Sequence, residues 1–135
     1  MNPRDREAVE SCPVFEASQI LGKKWAILVL QTLMTPEADN GLRFNEIQKE
    51  VSWVSPKVLT QRLREFEDEA LLLREVDASE VPVKVSYTLT AKGQDLTPVV
   101  EAMQKWGLKH GTAETSHCLG EGLRQCYGCR AEVDD

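Results

Sequence analysis

The segment from Arg43 to Glu67, RFNEIQKEVSWVSPKVLTQRLREFE, places the tightest constraint on what this chain can fold into. It predicts a short helix, a turn and a second helix that opens on Ser55-Pro56. Serine is a favoured N-cap, and proline suits the first helical position because an N–H there would have no helical partner. The second helix carries an apolar stripe that must be buried, so the segment predicts a packed helix–turn–helix unit.

The second helix has two chemically different faces. At 100° per residue from Lys57, the apolar stripe falls between about 180° and 240° and contains Leu59, Leu63, Phe66 and Ala70. The opposite side, called here the polar face, carries Lys57, Gln61 and Arg64, with Thr60 and Arg62 flanking it. Arginine can bond guanine at two atoms, glutamine can do the same to adenine, and lysine or serine can hold phosphate.

Two interpretations of the polar face remain open, a solvated helix surface and a surface that contacts DNA. The capped start of the helix and the helix and turn before it favour DNA. The residues of this segment that we predict to contact DNA are Arg43, Ser55, Lys57, Thr60, Gln61, Arg62 and Arg64.

The net charge of −6 and the isoelectric point near 5.0 argue against a polyanionic partner, but the charge is unevenly distributed. Residues 43–64 hold five basic and two acidic side chains, whereas residues 65–80 hold seven acidic and one basic. Salt screens distant charges over about 8–10 Å, so a locally positive face on an acidic body can still bind phosphate.

The rest of the 135-residue chain predicts one mostly helical domain with a small β-wing. Helices are expected over 14–21 and 24–34, the second apolar on nearly all sides and therefore central. Two strands are expected over 72–77 and 83–89, the second from its alternation of apolar and polar residues, and residues 78–82 would form the wing tip.

A last helix is predicted over 90–109, and Pro98 inside it predicts a kink or a start delayed to near Thr97. Its apolar stripe contains Leu96, Val99, Val100, Met103, Trp106 and Gly107. The stripe could pack on its own domain or on a second copy of the chain. The amount of apolar helix in so small a chain favours a homodimer.

Several motifs occur together in one order along the chain: Cys12-Pro13-Val14, Gly22-Lys23-Lys24-Trp25, Arg43-Phe44-Asn45-Glu46-Ile47, Ser55 to Arg64, and Tyr87-Thr88-Leu89-Thr90. Over residues 12–107 the chain closely resembles the HxlR family of transcription regulators, a branch of the MarR-like winged helix-turn-helix proteins. The resemblance implies a cytosolic homodimer, formed by added N- and C-terminal helices, that binds double-stranded DNA. It also implies a basic residue after the wing tip, for which Lys84 is the nearest match, contacting either the minor groove or solvent.

The four cysteines are the second informative feature. Cys126 and Cys129 form a C-x-x-C pair, and with Cys118 and His117 they could complete a tetrahedral zinc site. A thiol switch is the alternative, because Cys12 is predicted at a helix N-cap and the cysteine at its position senses oxidants or electrophiles in several relatives of the resembled family. All four could also be ordinary reduced thiols. We predict a winged-helix domain over residues 1–110 and a cysteine-containing tail over 111–135.

The sequence contains no glycine-rich phosphate loop and no H-E-x-x-H pair, so we expect no enzyme. Its charged N-terminal residues and short apolar runs predict no signal peptide and no membrane span, hence a cytoplasmic protein. The predicted function is a sequence-specific DNA-binding transcription regulator that responds to redox state, electrophiles or metal. The competing function is a winged-helix protein–protein interaction module with a structural zinc-binding tail.

Overall fold

The structure of the protein, a computed structural model, describes residues 1–111 and the single positions 118 and 122. The helices in this part of the chain are α1 (Arg6–Glu10), α2 (Pro13–Leu21), α3 (Ala26–Met34), α4 (Phe44–Glu50), α5 (Pro56–Asp68), α6 (Ala91–Gln94) and α7 (Thr97–His110). The strands are β1 (Leu72–Asp77) and β2 (Lys84–Leu89), and a short 3₁₀ turn spans Pro36–Ala38.

Helix α3 lies at the centre of the fold, as its continuous apolar sequence predicted. Its buried side chains are Ala26, Val29, Leu30, Thr32, Leu33 and Met34. The helix begins at Ala26, two residues later than predicted, because Trp25 adopts the left-handed conformation with φ 69°. Helix α3 contacts helices α2, α4, α5 and α7 and strand β2. The two helices of the helix–turn–helix therefore both pack against α3.

The predicted helix–turn–helix is present as α4, a short turn and α5. The Ser55 hydroxyl oxygen accepts a hydrogen bond from the Val58 N–H at 3.2 Å, which confirms it as the N-cap of α5. Leu59, Leu63 and Phe66 are buried, as predicted. Ala70 was wrongly included in the stripe. It lies beyond the end of α5 at φ 60° and is exposed, because the chain leaves the helix there to enter β1.

The wing is an antiparallel hairpin in which Leu72 pairs with Leu89 and Asp77 pairs with Lys84. Its first strand has the predicted bounds, and its second begins at Lys84 rather than Val83. Leu42 adds an isolated bridge to Tyr87, with backbone hydrogen bonds of 3.0 and 2.8 Å. This bridge ties the segment before α4 to the base of the wing.

The predicted last helix is divided into two. Thr90 caps the short α6, and α7 starts at Thr97 with Pro98 in its first turn, so the delayed start is confirmed. Proline is tolerated there because its missing N–H would have no intrahelical partner. Within the predicted stripe, Val100 is buried on the body of the protein, while Val99, Met103 and Trp106 are 43, 48 and 66% exposed.

Gly93 provides a first test of the packing between α6 and the wing. A Cβ at this buried position would lie 2.3 Å from the Leu71 carbonyl oxygen and 3.0 Å from Leu89 Cδ2. Since the nearer atom belongs to the backbone, we expect Gly93→Ala to lower the free energy of unfolding by about 1–3 kcal/mol or more. Urea denaturation followed by circular dichroism would measure this.

Gly107→Ala is the matched control, because a Cβ there meets nothing within 4 Å. Removing glycine from a helix interior is expected to stabilise the protein by up to about 1 kcal/mol. Equal denaturation midpoints for the two variants would contradict the prediction. They would show that the backbone near Leu71 can move away from a Cβ at position 93 without a loss of stability.

Candidate nucleic-acid interface

The polar face of α5 is exposed along its length. Lys57, Gln61 and Arg64 are all exposed, on the side of the helix opposite buried Leu59 and Leu63. The packing of the apolar stripe fixes this orientation, because the helix can bury those leucines in only one rotation about its axis. The face therefore presents one ammonium, one amide and one guanidinium group in a row to solvent.

Ser55 and Thr60 each use one hydrogen-bonding function inside the protein. The Ser55 oxygen accepts from the Val58 N–H, so its hydroxyl proton remains able to donate to a phosphate. The Thr60 hydroxyl donates to the Pro56 carbonyl at 2.8 Å, and the side chain is half-buried. Thr60 thus offers its methyl group and an oxygen lone pair rather than a free donor.

Arg62 does not flank the polar face as predicted. Its Nε donates to the Lys24 carbonyl at 2.8 Å, and its side chain is 13% exposed. The helical angle explains the correction: Arg62 lies about 140° from Lys57 and only about 60° from Leu59, so it belongs to the side that contacts the body. The prediction that Arg62 contacts DNA is not supported by its position.

Glu65 is also held by the protein itself. Its carboxylate accepts from Arg62 Nη1 at 3.2 Å and lies 3.3 Å from Lys23 Nζ. A carboxylate near the polar face would repel phosphate, but these two cations partly offset its charge. Asp68, near the end of α5, is exposed and lies further from the N-terminal half that contacts bases in this class of motif.

The turn between α4 and α5 is closed by Gln48. Its Nε2 donates to the Val54 carbonyl at 2.7 Å, which satisfies a backbone acceptor next to the N-cap of α5. At the other end of α4, the Arg43 N–H donates to Glu46 Oε1 at 3.1 Å while the Arg43 side chain is exposed. The local hydrogen bond therefore involves the Arg43 backbone, while the Arg43 side chain is exposed to solvent.

An open groove separates α4 from the wing. Its charged lining residues are Arg43, Glu46, Lys49, Glu75, Asp77 and Lys84. The three cations and three carboxylates give this groove a balanced charge, unlike the cationic polar face of α5. Phosphate contacts from the wing would therefore depend on Lys84 itself rather than on a broad positive field.

Lys84 is the first residue of β2, next to the wing tip, and it pairs with Asp77, the last residue of β1. Hydrogen bonds from the Ser79 hydroxyl and N–H, together with the nearby Lys84 ammonium, hold the pKa of Asp77 below its usual range. Asp77 is therefore a carboxylate at neutral pH and offsets part of the Lys84 charge. Lys84 is exposed, as a contact to the minor groove would require.

The cysteines divide into two groups. Cys12 is the N-cap residue of α2 and is half-buried, in the predicted place. Cys118 is half-buried beside α7, where Gln104 Nε2 lies 3.5 Å from its sulfur. The other proposed zinc ligands, His117, Cys126 and Cys129, lie outside the described residues, and within the described ones no three His, Cys, Asp or Glu side chains are arranged to hold a metal.

An aromatic cluster beside the helix–turn–helix was missed from the sequence. Trp53, in the turn, is 61% exposed and meets the Trp25 ring edge-on with centroids 6.3 Å apart. The Lys24 ammonium lies 5.3 Å from the centre of the Trp25 ring. Trp25 and Trp53 are 28 positions apart in the chain, so only the tertiary structure brings them together.

Comparison with known proteins agrees with this geometry. The family model described as "HxlR-like helix-turn-helix" matches residues 20–115. The chain belongs to the HxlR-like helix-turn-helix family. The match crosses residue 110, so the predicted boundary between domain and tail stays a prediction.

Two curated HxlR-like relatives illustrate the similarity. The chain is 42% identical over 96 residues to the HTH-type transcriptional regulator YodB of Bacillus subtilis, covering 70% of this chain and 81% of YodB. It is 41% identical over 101 residues to an uncharacterized HTH-type transcriptional regulator of Methanothermobacter thermautotrophicus, covering 75% of this chain and 73% of that protein.

Solved structures give the same fold. Reduced YodB superimposes with a TM-score of 0.64 at 39% identity, covering 75% of this chain and 95% of YodB. The redox regulator HypR in its oxidized form gives 0.64 at 34% identity, covering 73% of this chain and 97% of HypR. YodB has also been solved after diamide treatment and with bound quinone. The predicted winged helix-turn-helix fold is therefore confirmed.

In residues 1–111, no helix is long and apolar enough to cross a bilayer.

Proposed function

We propose that this protein is a transcription regulator that binds double-stranded DNA in a sequence-specific manner. The observation that carries the proposal is the exposed polar face of α5, a capped helix fixed on a helix–turn–helix and flanked by a wing. Its relatives are transcriptional regulators, and it carries out no catalysis in this proposal. Since its ligand is chromosomal DNA, we expect it in the cytoplasm.

The proposal includes a homodimer. Val99, Met103 and Trp106 form an exposed apolar face on α7, for which the described part of the chain provides no cover. Two copies that share this face would present two α5 helices, as a DNA site with two half-sites requires. Half-sites recognised by such dimers lie about 34–36 Å apart, one turn of the duplex.

Substitutions on the polar face test the proposal directly. We expect Gln61→Ala and Arg64→Ala to reduce discrimination between the preferred duplex and a random one, by about 1–3 kcal/mol for each lost base contact. The preferred duplex would be selected from a random library by the wild-type protein. Fluorescence anisotropy with both duplexes would measure the effect.

Arg43→Ala and Lys84→Ala should behave differently, because we propose that these side chains contact phosphate rather than bases. We expect them to weaken binding to both duplexes alike and to flatten the salt dependence by about one unit of slope. Arg74→Ala is a matched control, since Arg74 pairs with Tyr87 and lies on the other face of the wing from Lys84. The proposal fails if none of the four changes alters binding, or if affinity of the wild-type protein is independent of salt.

We also propose that oxidants or electrophiles regulate DNA binding through Cys12. The sulfur lies at the start of α2, and an open groove separates that helix from the C-terminal half of α5, with Glu16 and Phe15 on one side and Phe66 and Glu69 on the other. Movement of α2 would reach α5 through α3, which contacts both helices. Support comes from solved structures of similar proteins. YodB has been solved after treatment with diamide and with bound quinone, and the redox regulator HypR has been solved in its oxidized form.

Zinc binding by the tail stays a separate proposal, with Cys118, Cys126, Cys129 and His117 as ligands. These residue types suit tetrahedral zinc. A metal assay on the freshly purified protein, together with a free-thiol count, distinguishes a metal site from free cysteines. A full count of four reactive thiols with no bound metal would exclude the zinc site.

A further inference from the structure

Arg62 connects the DNA-binding helix to a distant turn of the body. Its Nε donates to the carbonyl of Lys24, 38 residues earlier, at 2.8 Å. Its Nη1 also contacts both oxygens of Glu65 at 3.2 Å, and Glu65 in turn lies 3.3 Å from Lys23 Nζ. The two side chains are only 13 and 27% exposed, so solvent screens these contacts less than it would at an open surface.

The Lys24 carbonyl is available because of an unusual backbone conformation. Trp25 has φ 69°, a left-handed conformation that costs an L-residue roughly 1–2 kcal/mol. The carbonyls on either side are used locally, since that of Lys23 accepts from Ala26 and that of Trp25 accepts from Val29. The Lys24 carbonyl accepts from α5 instead, and such local strain is found where the surrounding structure requires it.

A second contact joins the same turn of the body to the turn that leads into α5. The Trp25 ring meets Trp53 edge-on, and Trp53 lies two residues before Ser55, the N-cap of α5. Arg62 lies seven residues after Ser55, about 10 Å along the helix. The buried apolar stripe sets which face of α5 is exposed, and these two contacts add a restraint on small shifts and small rotations of the helix about its axis.

We propose that Arg62 is a positioning residue for DNA recognition, which holds α5 at the rotation that its neighbours Gln61 and Arg64 need to contact bases. This inference rests on the proposed function. Gln61 and Arg64 lie on either side of Arg62 in the sequence, so a rotation at Arg62 displaces both. Hydrogen bonds to base edges weaken steeply with distance and angle, so a small rotation would reduce discrimination between sequences.

The test compares Arg62→Gln with Arg64→Gln, two changes that remove the same charge two residues apart on one helix. Each variant would be titrated with the duplex selected by the wild-type protein and with a random duplex over a range of salt concentrations. For Arg62→Gln we expect roughly tenfold or greater loss of affinity for the selected duplex, the range of one lost base contact. Affinity for the random duplex should fall much less, because only the offset of the Glu65 charge is lost, and the salt slope should be unchanged. For Arg64→Gln we expect that loss together with weaker random binding and a flatter slope.

Arg62→Lys provides the rescue, because its ammonium can still donate to the Lys24 carbonyl. We expect it to recover part of the discrimination that Arg62→Gln loses. Thermal melting of each variant, followed by titration well below the melting temperature, ensures that only folded protein is compared.

Three results would overturn the inference. A flatter salt slope and weaker random binding for Arg62→Gln would identify Arg62 as a phosphate contact. Unchanged discrimination in folded Arg62→Gln would show that the contact serves stability alone, and failure of Arg62→Lys to recover any discrimination would exclude the bond to Lys24 as its basis. Selection of a duplex by the wild-type protein tests the proposed function separately from the variants. If the wild-type protein selects no duplex, the proposed function is wrong and the inference fails with it.

Discussion

Val100→Asp is expected to unfold the protein, whereas Met103→Asp, three residues later on the same helix, is expected to leave a folded monomer. Val100 is 3% exposed and packs against the core, so an unpaired carboxylate there would cost several kcal/mol of a total stability of about 5–15 kcal/mol. Met103 is 48% exposed in the single chain, so its replacement spares the core. It would still place a charge inside the proposed dimer interface.

Circular dichroism and light scattering together measure the two outcomes. Folded Met103→Asp should scatter as the 15.2 kDa chain, and the wild-type protein should scatter as twice that mass. Lys105→Asp is the matched control, because Lys105 is exposed about 200° around the helix from Met103 and should leave the dimer intact. A wild-type protein that is monomeric at micromolar concentration would contradict the dimer.

Oxidation of the wild-type protein by diamide or a quinone is expected to lower its affinity for the selected duplex to the level of a random one. A rotation within the dimer would misalign one α5 helix with its half-site, and specific sites typically bind about 10³–10⁷ times more tightly than random DNA. Cys12→Ser should bind DNA normally and no longer respond. Duplex titrations before and after oxidation, followed by reductant, would measure the response and its reversal.

The tail provides the alternative route. If the tail cysteines hold zinc and its loss changes DNA binding, Cys12→Ser would still respond to oxidant and Cys126→Ser would not. Wild-type affinity that stays the same with reductant, oxidant and chelator would remove both routes and leave a DNA-binding protein with four unexplained cysteines.

Local rules predicted most of the secondary structure. The Ser55-Pro56 start of α5 and the buried Leu59, Leu63 and Phe66 are confirmed, since capping and helical periodicity act within one element. The predicted bounds of β1 are also confirmed. The delayed start of α7 was one of two alternatives that Pro98 left open. Helix α1 was not predicted, and two errors in helix bounds lie at Trp25 and Ala70, where a left-handed residue precedes or follows a helix without a glycine to mark it.

The polar face of α5 was determined by the sequence alone, because a helix that buries Leu59 and Leu63 must expose Lys57, Gln61 and Arg64. The position and partner of Arg62 were decided only by the tertiary structure. Its helical angle lies between the two faces, and its partner is a backbone carbonyl 38 residues away that a left-handed Trp25 makes available. Periodicity within one helix contains no information about such a distant acceptor, so only the packing of α5 on the turn before α3 reveals that the Arg62 guanidinium bonds to the body.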